Sequence, residues 1–113
     1  MSPVLADGPP TELLAALADP TRWQVLRLLG DAGEGTATTL AAELPVSRVA
    51  VTKHLAVLDR AGLVGARKVG REVRYRVRPD PLREAGRRLD DLAAAWDARL
   101  ARLKALAEAA EGA

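Results

Sequence analysis

The segment from Thr38 to Val77 constrains the fold more than any other part of this chain. Leu40-Ala41-Ala42-Glu43-Leu44 reads as the body of a short helix, Pro45-Val46-Ser47 as a tight turn, and Arg48 to Leu58 as the body of a second helix. Pro45 forbids continuation of the first of these helices, and Ser47 is placed to cap the second. Ala61-Gly62-Leu63-Val64 then leads into two strands, Val64 to Val69 and Glu72 to Val77, joined at Gly70-Arg71. Two short helices across a turn, followed by a basic hairpin, form an arrangement that sets one helix into a DNA major groove with a cationic wing beside it.

The residues on these elements divide by face. Val51, Leu55 and Leu58 recur at helical spacing and are expected in the core, while Arg48, Val49, Thr52 and Lys53 cluster on the first turns and face away from that stripe. In the second strand Val73, Tyr75 and Val77 alternate with Arg74, Arg76 and Arg78. Charge follows the same division. From Ser47 to Arg78 nine cationic residues stand against Asp59 and Glu72, a net +7, whereas the other residues carry eight against 13, a net −5. A basic segment on a chain of net charge +2 is the footprint of a polyanion binder.

Upstream, Met1 to Pro10 is dense in Pro and Gly and reads as a flexible tail with neither the basic start nor the apolar core of a signal peptide. A first helix is expected from Thr11, as cap, to Ala18, with Leu13, Leu14 and Leu17 on its apolar face. Asp19-Pro20 starts a second helix, since Asp accepts free amide hydrogens and Pro suits the first helical position. That helix is expected to bury Trp23, Val25, Leu26 and Leu29 and to end at Gly30, with Asp31 to Gly35 as a loop and Thr38 capping a third helix that ends near Leu44. Downstream, Pro79-Asp80-Pro81 opens a long helix to about Ala110 whose stripe is Leu89, Leu92, Trp96, Leu100, Leu103 and Ala107. Four short elements cannot cover so long an apolar face, so a second copy of the chain is expected against it.

Composition removes several functions. At 113 residues the chain supports one core and one domain, taken as residues 11–110. With no cysteine there is no disulfide, iron–sulfur cluster or thiolate metal site, which agrees with a reducing cytoplasm. No apolar run approaches the roughly 20 residues of a membrane span, so no membrane is expected among its partners. No set of nucleophile, base and orienting group is legible, nor a phosphate-cradling glycine loop, so an enzyme is not expected. The excess of Arg over Lys and the abundance of Ala look like a bacterial coding bias.

Several of these pieces together resemble the ArsR/SmtB family of bacterial winged-helix repressors. They are Leu17-Ala18-Asp19-Pro20-Thr21-Arg22, Val46-Ser47-Arg48 leading into Val51-Thr52-Lys53-His54-Leu55, Leu58 followed by Ala61-Gly62-Leu63-Val64, and Gly70-Arg71 with Tyr75. The resemblance implies a homodimer clasped by its first and last helices, here through Leu13, Leu17, Leu89, Leu92, Trp96, Leu100 and Leu103, on a palindromic operator that it represses until an effector binds. Metal-sensing members use cysteines on the recognition helix, or histidines with carboxylates on the last helix. This chain has no cysteine, and its last helix offers Asp90, Asp91, Asp97 and Glu108 without a histidine. Carboxylates alone suit zinc and copper poorly, so the resemblance is to the branch without metal sites, and no cofactor is expected.

The expected architecture is mainly α with a β-hairpin wing, in the order α-α-α-α-β-β-α. Candidate contacts to double-stranded DNA are Ser47, Arg48, Val49, Thr52, Lys53 and His54 on the second helix of the motif, and Arg67, Lys68, Arg71, Arg74 and Arg76 on the wing. Arg reads a guanine edge, Thr can meet a thymine methyl, and Lys favours phosphates. The bland reading of these charges is a solvated surface; the motif around them favours contact. His54, the single histidine, has no metal partner and fits a phosphate contact or packing better than a sensor role. Trp23 and Trp96 fit core or interface better than an effector pocket. The expected function is a dimeric repressor released by an unidentified non-metal signal. Rival readings are a low-specificity architectural DNA-binding protein and a winged helix used as a protein-interaction module.

Overall fold

The computed structural model describes residues 8–112. The expected tail, residues 1–10, falls largely outside the described residues. The elements run α1 (Thr11–Leu17), α2 (Pro20–Ala32), α3 (Ala37–Ala41), α4 (Arg48–Arg60), β1 (Val64–Val69), β2 (Glu72–Val77) and α5 (Pro79–Gly112). This is the α-α-α-α-β-β-α order, with both strands where the alternation placed them. The chain divides into two compact units, one ending at Pro81 and the other beginning at Leu82, inside α5.

In the first unit, α1 packs on α2 and α4, α2 and α3 pack on α4, and α4 packs on β1. The stripe Val51, Leu55 and Leu58 is fully buried, together with Val25, Leu29, Leu63 and Val64. Aliphatic side chains thus fill a core in a chain without phenylalanine. Asp19 begins α2 as expected: its Oδ1 accepts the amides of Thr21 at 2.8 Å and Arg22 at 3.1 Å, with Pro20 at the first helical position. Arg22 turns back and donates from Nε to the carbonyl of Ala16 at 2.7 Å and from Nη2 to that of Ala15 at 3.2 Å. One Asp-Pro-Thr-Arg step therefore satisfies the start of α2 and the end of α1.

Several local expectations need correction. Thr11 does not cap α1; it is the first helical residue, Pro10 holds the cap position, and the Thr11 hydroxyl donates to the carbonyl of Pro9. Gly30 does not end α2. The helix runs on to Ala32 and stops at Gly33, whose φ is +84°. Thr36, not Thr38, caps α3, because Thr39 three positions on returns its hydroxyl to the Thr36 amide and closes a capping box. That helix stops at Ala41 rather than near Leu44. Trp23 is not buried but 52% exposed. It lies roughly 110° round the helix from the middle of the Val25–Leu26–Leu29 stripe, taking 3.6 residues per turn.

The end of α4 aims the hairpin. Leu63 N–H donates to the carbonyl of Leu58 at 2.9 Å and Gly62 N–H to that of Asp59 at 3.0 Å, the paired bonds of a Schellman motif. Gly62 has φ +77°, a conformation in which a Cβ would be strained. Leu58 and Leu63, the apolar pair that accompanies this motif, are both fully buried. β1 and β2 then pair antiparallel from Val64↔Val77 to Val69↔Glu72. Beyond β2, Gly35 exchanges both backbone hydrogen bonds with Tyr75, at 3.0 and 2.8 Å. A Cβ on Gly35 would lie 3.1 Å from Leu29 Cδ2, so a glycine lets the α2–α3 connection pass this close.

The second unit is the helical chain from Leu82 to the end of α5. Its charged residues pair locally: Glu84 with Arg87 and Arg88, and Lys104 with Glu108. Leu89, Leu92, Trp96, Leu100 and Leu103 are all exposed in the single chain, Trp96 by 56%. Their separations of three, four, four and three residues average 3.5, the repeat of a helix–helix seam. No helix among the described residues is long and apolar enough to cross a membrane.

Candidate nucleic-acid interface

Ser47 sets the register of α4. Its Oγ accepts the amide of Ala50 at 3.1 Å, and its extended backbone turns the chain out of the Pro45 turn. With Val51, Leu55 and Leu58 pointing inward, the helical period leaves Arg48, Val49, Thr52 and Lys53 outside, and all four are exposed. Val49 is 65% exposed, an apolar side chain largely open to solvent. The hydroxyl of Thr52 donates to the carbonyl of Arg48 at 3.0 Å. Its methyl group and its oxygen lone pairs are thus what it offers to a partner. His54 is half-buried on the same helix.

The wing meets this surface. A cleft of about 350 Å³ is lined by Thr38 and Thr39 of α3, Arg48 and Thr52 of α4, and Arg71 and Val73 of the hairpin. Residues from three elements, distant in sequence, so open onto one space. At the tip, Gly70 with φ +62° carries the two-residue turn that presents Arg71. Lys68, Arg71 and Arg76 are exposed and make no ion pair among the described residues.

The other two wing arginines differ. Arg67 Nη2 donates to both carboxylate oxygens of Glu34, at 3.0 and 3.1 Å. Arg74 Nε lies 3.2 Å from Glu72 and 3.6 Å from Glu34. Sequence reading missed Glu34, because its partners lie 33 or more residues away and no local pattern links them. The expected interface residues also fall in two places. Leu13 is buried within its own chain and Leu17 is half-buried, while the stripe on α5 is exposed. Among the described residues, no three His, Cys, Asp or Glu side chains come together to hold a metal ion.

One titrating group is shifted at this joint. The Asp19 carboxyl is held below its ordinary range, first by the Arg22 amide and then by the Thr21 amide, with the Arg22 guanidinium and His54 adding positive potential. Partial desolvation opposes these effects.

Comparison with known proteins gives this geometry a family. Residues 17–64 match the family described as a helix-turn-helix domain. The chain is 33% identical over 97 residues to the arsenical resistance operon repressor of Escherichia coli K12, spanning 86% of this chain and 80% of that one. An ArsR-like transcriptional regulator from Rhodococcus sp. RHA1 superimposes with a TM-score of 0.80 at 44% identity, over 93% of this chain and 96% of the other. The homodimeric winged helix-turn-helix DNA-binding domain Mb0332 of Mycobacterium bovis, described as a possible ArsR-family regulator, gives a TM-score of 0.61 at 29% identity, over 74% and 76%. The first two relatives carry names of transcriptional regulators. Motif, wing and relatives agree, and the chain belongs to the ArsR family of winged helix-turn-helix transcriptional regulators.

Proposed function

We propose that this protein is a dimeric cytoplasmic repressor that occupies a two-fold DNA operator and leaves it on a signal other than a metal. The observation that carries the reading is the cleft that Arg48 and Thr52 share with Arg71. A duplex whose major groove receives α4 would meet the wing tip at once. Arg48, Val49, Thr52 and Lys53 supply contacts to base edges and nearby phosphates. Ser47 directs the first amides of α4 toward a phosphate, and His54 supports that edge. Lys68 and Arg71 meet backbone phosphates, and Arg67, Arg74 and Arg76 add positive potential from the other face of the same wing. Two protomers, joined through α5 with Leu17 and the α1 surface about Leu13, would set their recognition helices about 34 Å apart, one duplex turn. Repression draws support from the named role of the Escherichia coli relative. The non-metal signal draws support from the absence of cysteine and of a histidine on α5. Such a signal must bind two dimer geometries unequally.

The test is selection of fragmented genomic DNA by the purified protein at physiological salt, followed by sequencing. A few promoters sharing an imperfect palindrome are expected. Even recovery of all fragments would make it an architectural protein, and no recovery even at low salt would make it a protein-interaction module. Zinc titration should leave the affinity for the selected sites unchanged; a zinc-dependent fall would overturn the non-metal signal.

A further inference from the structure

Arg67 and Arg74 stand directly opposite each other on the hairpin. Like charges at opposed positions of an antiparallel pair repel. The Glu34 carboxylate lies against both: its two oxygens accept from Arg67 Nη2, and one lies 3.6 Å from Arg74 Nε, which itself donates to Glu72 at 3.2 Å. Its backbone is held as well, because the neighbouring Gly35 is bonded both ways to Tyr75. Strand alternation puts Arg67 and Arg74 on the hairpin face opposite that of Val73 and Tyr75, which line the cleft with Arg48 and, at the strand end, Glu72; neither Arg67 nor Arg74 lines it. Left free, two cations on that far face would attract phosphate in orientations where α4 reads nothing.

We infer that Glu34 is a specificity-determining residue: it occupies Arg67 and, together with Glu72, Arg74, and so withholds cations of this wing face from sequence-independent phosphate binding. This rests on the DNA-binding reading above. Non-specific affinity is almost wholly phosphate neutralisation, and each contact adds about 0.9 to the slope of log affinity on log salt. Base contacts made by α4 lie outside that count. Occupying the two arginines therefore weakens binding to random DNA more than binding to an operator.

The experiment compares full-length wild type, Glu34→Gln, Glu34→Asp, Arg67→Ala/Arg74→Ala and the triple variant Glu34→Gln/Arg67→Ala/Arg74→Ala. Affinity is measured against salt on a random duplex and on a site recovered by the genomic selection. Glu34→Gln should bind the random duplex more tightly, with a slope steeper by about one unit per protomer because Arg74 keeps Glu72, and its operator-to-random ratio should fall. Glu34→Asp, which keeps the charge, and the triple variant should return toward the wild-type slope, and Arg67→Ala/Arg74→Ala should leave that slope nearly unchanged. A damaged fold cannot produce tighter, more salt-sensitive binding. Uniformly weaker binding by Glu34→Gln would make Glu34 a structural staple and overturn the inference. A flatter slope for Arg67→Ala/Arg74→Ala would overturn it too, because the arginines would then reach phosphate with Glu34 in place. If no protein binds any duplex, the DNA-binding reading falls and takes this one with it; if wild type binds and Glu34→Gln matches it, only this inference falls.

Discussion

Asp19 and Arg22, three positions apart, close two helix ends between them, the carboxylate at the start of α2 and the guanidinium at the end of α1. The joint has a pH signature. Because the folded carboxyl is held below its unfolded value, its contribution to stability is whole above the ordinary aspartate range of about pH 4 and is lost as pH falls through and below that range. Asn caps a helix about as well as Asp but does not titrate. Asp19→Asn should therefore lie close to wild type at neutral pH. Urea unfolding from pH 7 to pH 2 should show wild type losing stability relative to this variant below about pH 4. A difference that stays constant with pH would mean that the carboxylate is not held by the joint.

At the scale of the element, α4 carries two functions on two faces, and substitutions should separate them. Leu55 is fully buried, so Leu55→Ala should lower unfolding free energy by about 2–5 kcal/mol, while the folded protein keeps its affinity for DNA. Val49→Ala should change stability by less than about 0.5 kcal/mol and reduce affinity, since this side chain is mostly exposed. Denaturant titration and duplex binding on both variants check the pair; a stability loss at Val49 would place it in the core. The two faces were legible from sequence because a helix of 13 residues repeats its pattern several times. The shorter features were less so. Between Gly30 and Gly33, or Thr36 and Thr38, composition offers equal candidates, and the choice is made by a bond such as Thr39 to Thr36. The hairpin was readable from its alternation and its Gly70-Arg71 turn, but its tie to Gly35 was not, since that pairing joins residues with no periodic relation.

For the whole molecule, the exposed seam on α5 predicts that folding and assembly are linked. Whatever binds only the folded chain stabilises it by mass action, a second protomer included. The melting temperature should rise with protein concentration. Leu100→Glu, within the seam, should abolish that dependence and leave a monomer by sedimentation equilibrium. A Leu100→Glu protein that remains dimeric would place the interface elsewhere.

The bridge between Gly35 and Tyr75 also has a consequence in time. The contacts of α1 with α2 and of α3 with α4 join neighbours in sequence, and local contacts form fast. The bridge instead closes a loop over about half of the first unit, and such closure waits on the pieces it encloses. During synthesis the helix-turn-helix can assemble while the last strand is still unmade. It cannot be tied to its wing until Tyr75 has left the ribosome, so the tie between α2 and the hairpin is expected among the late events of folding.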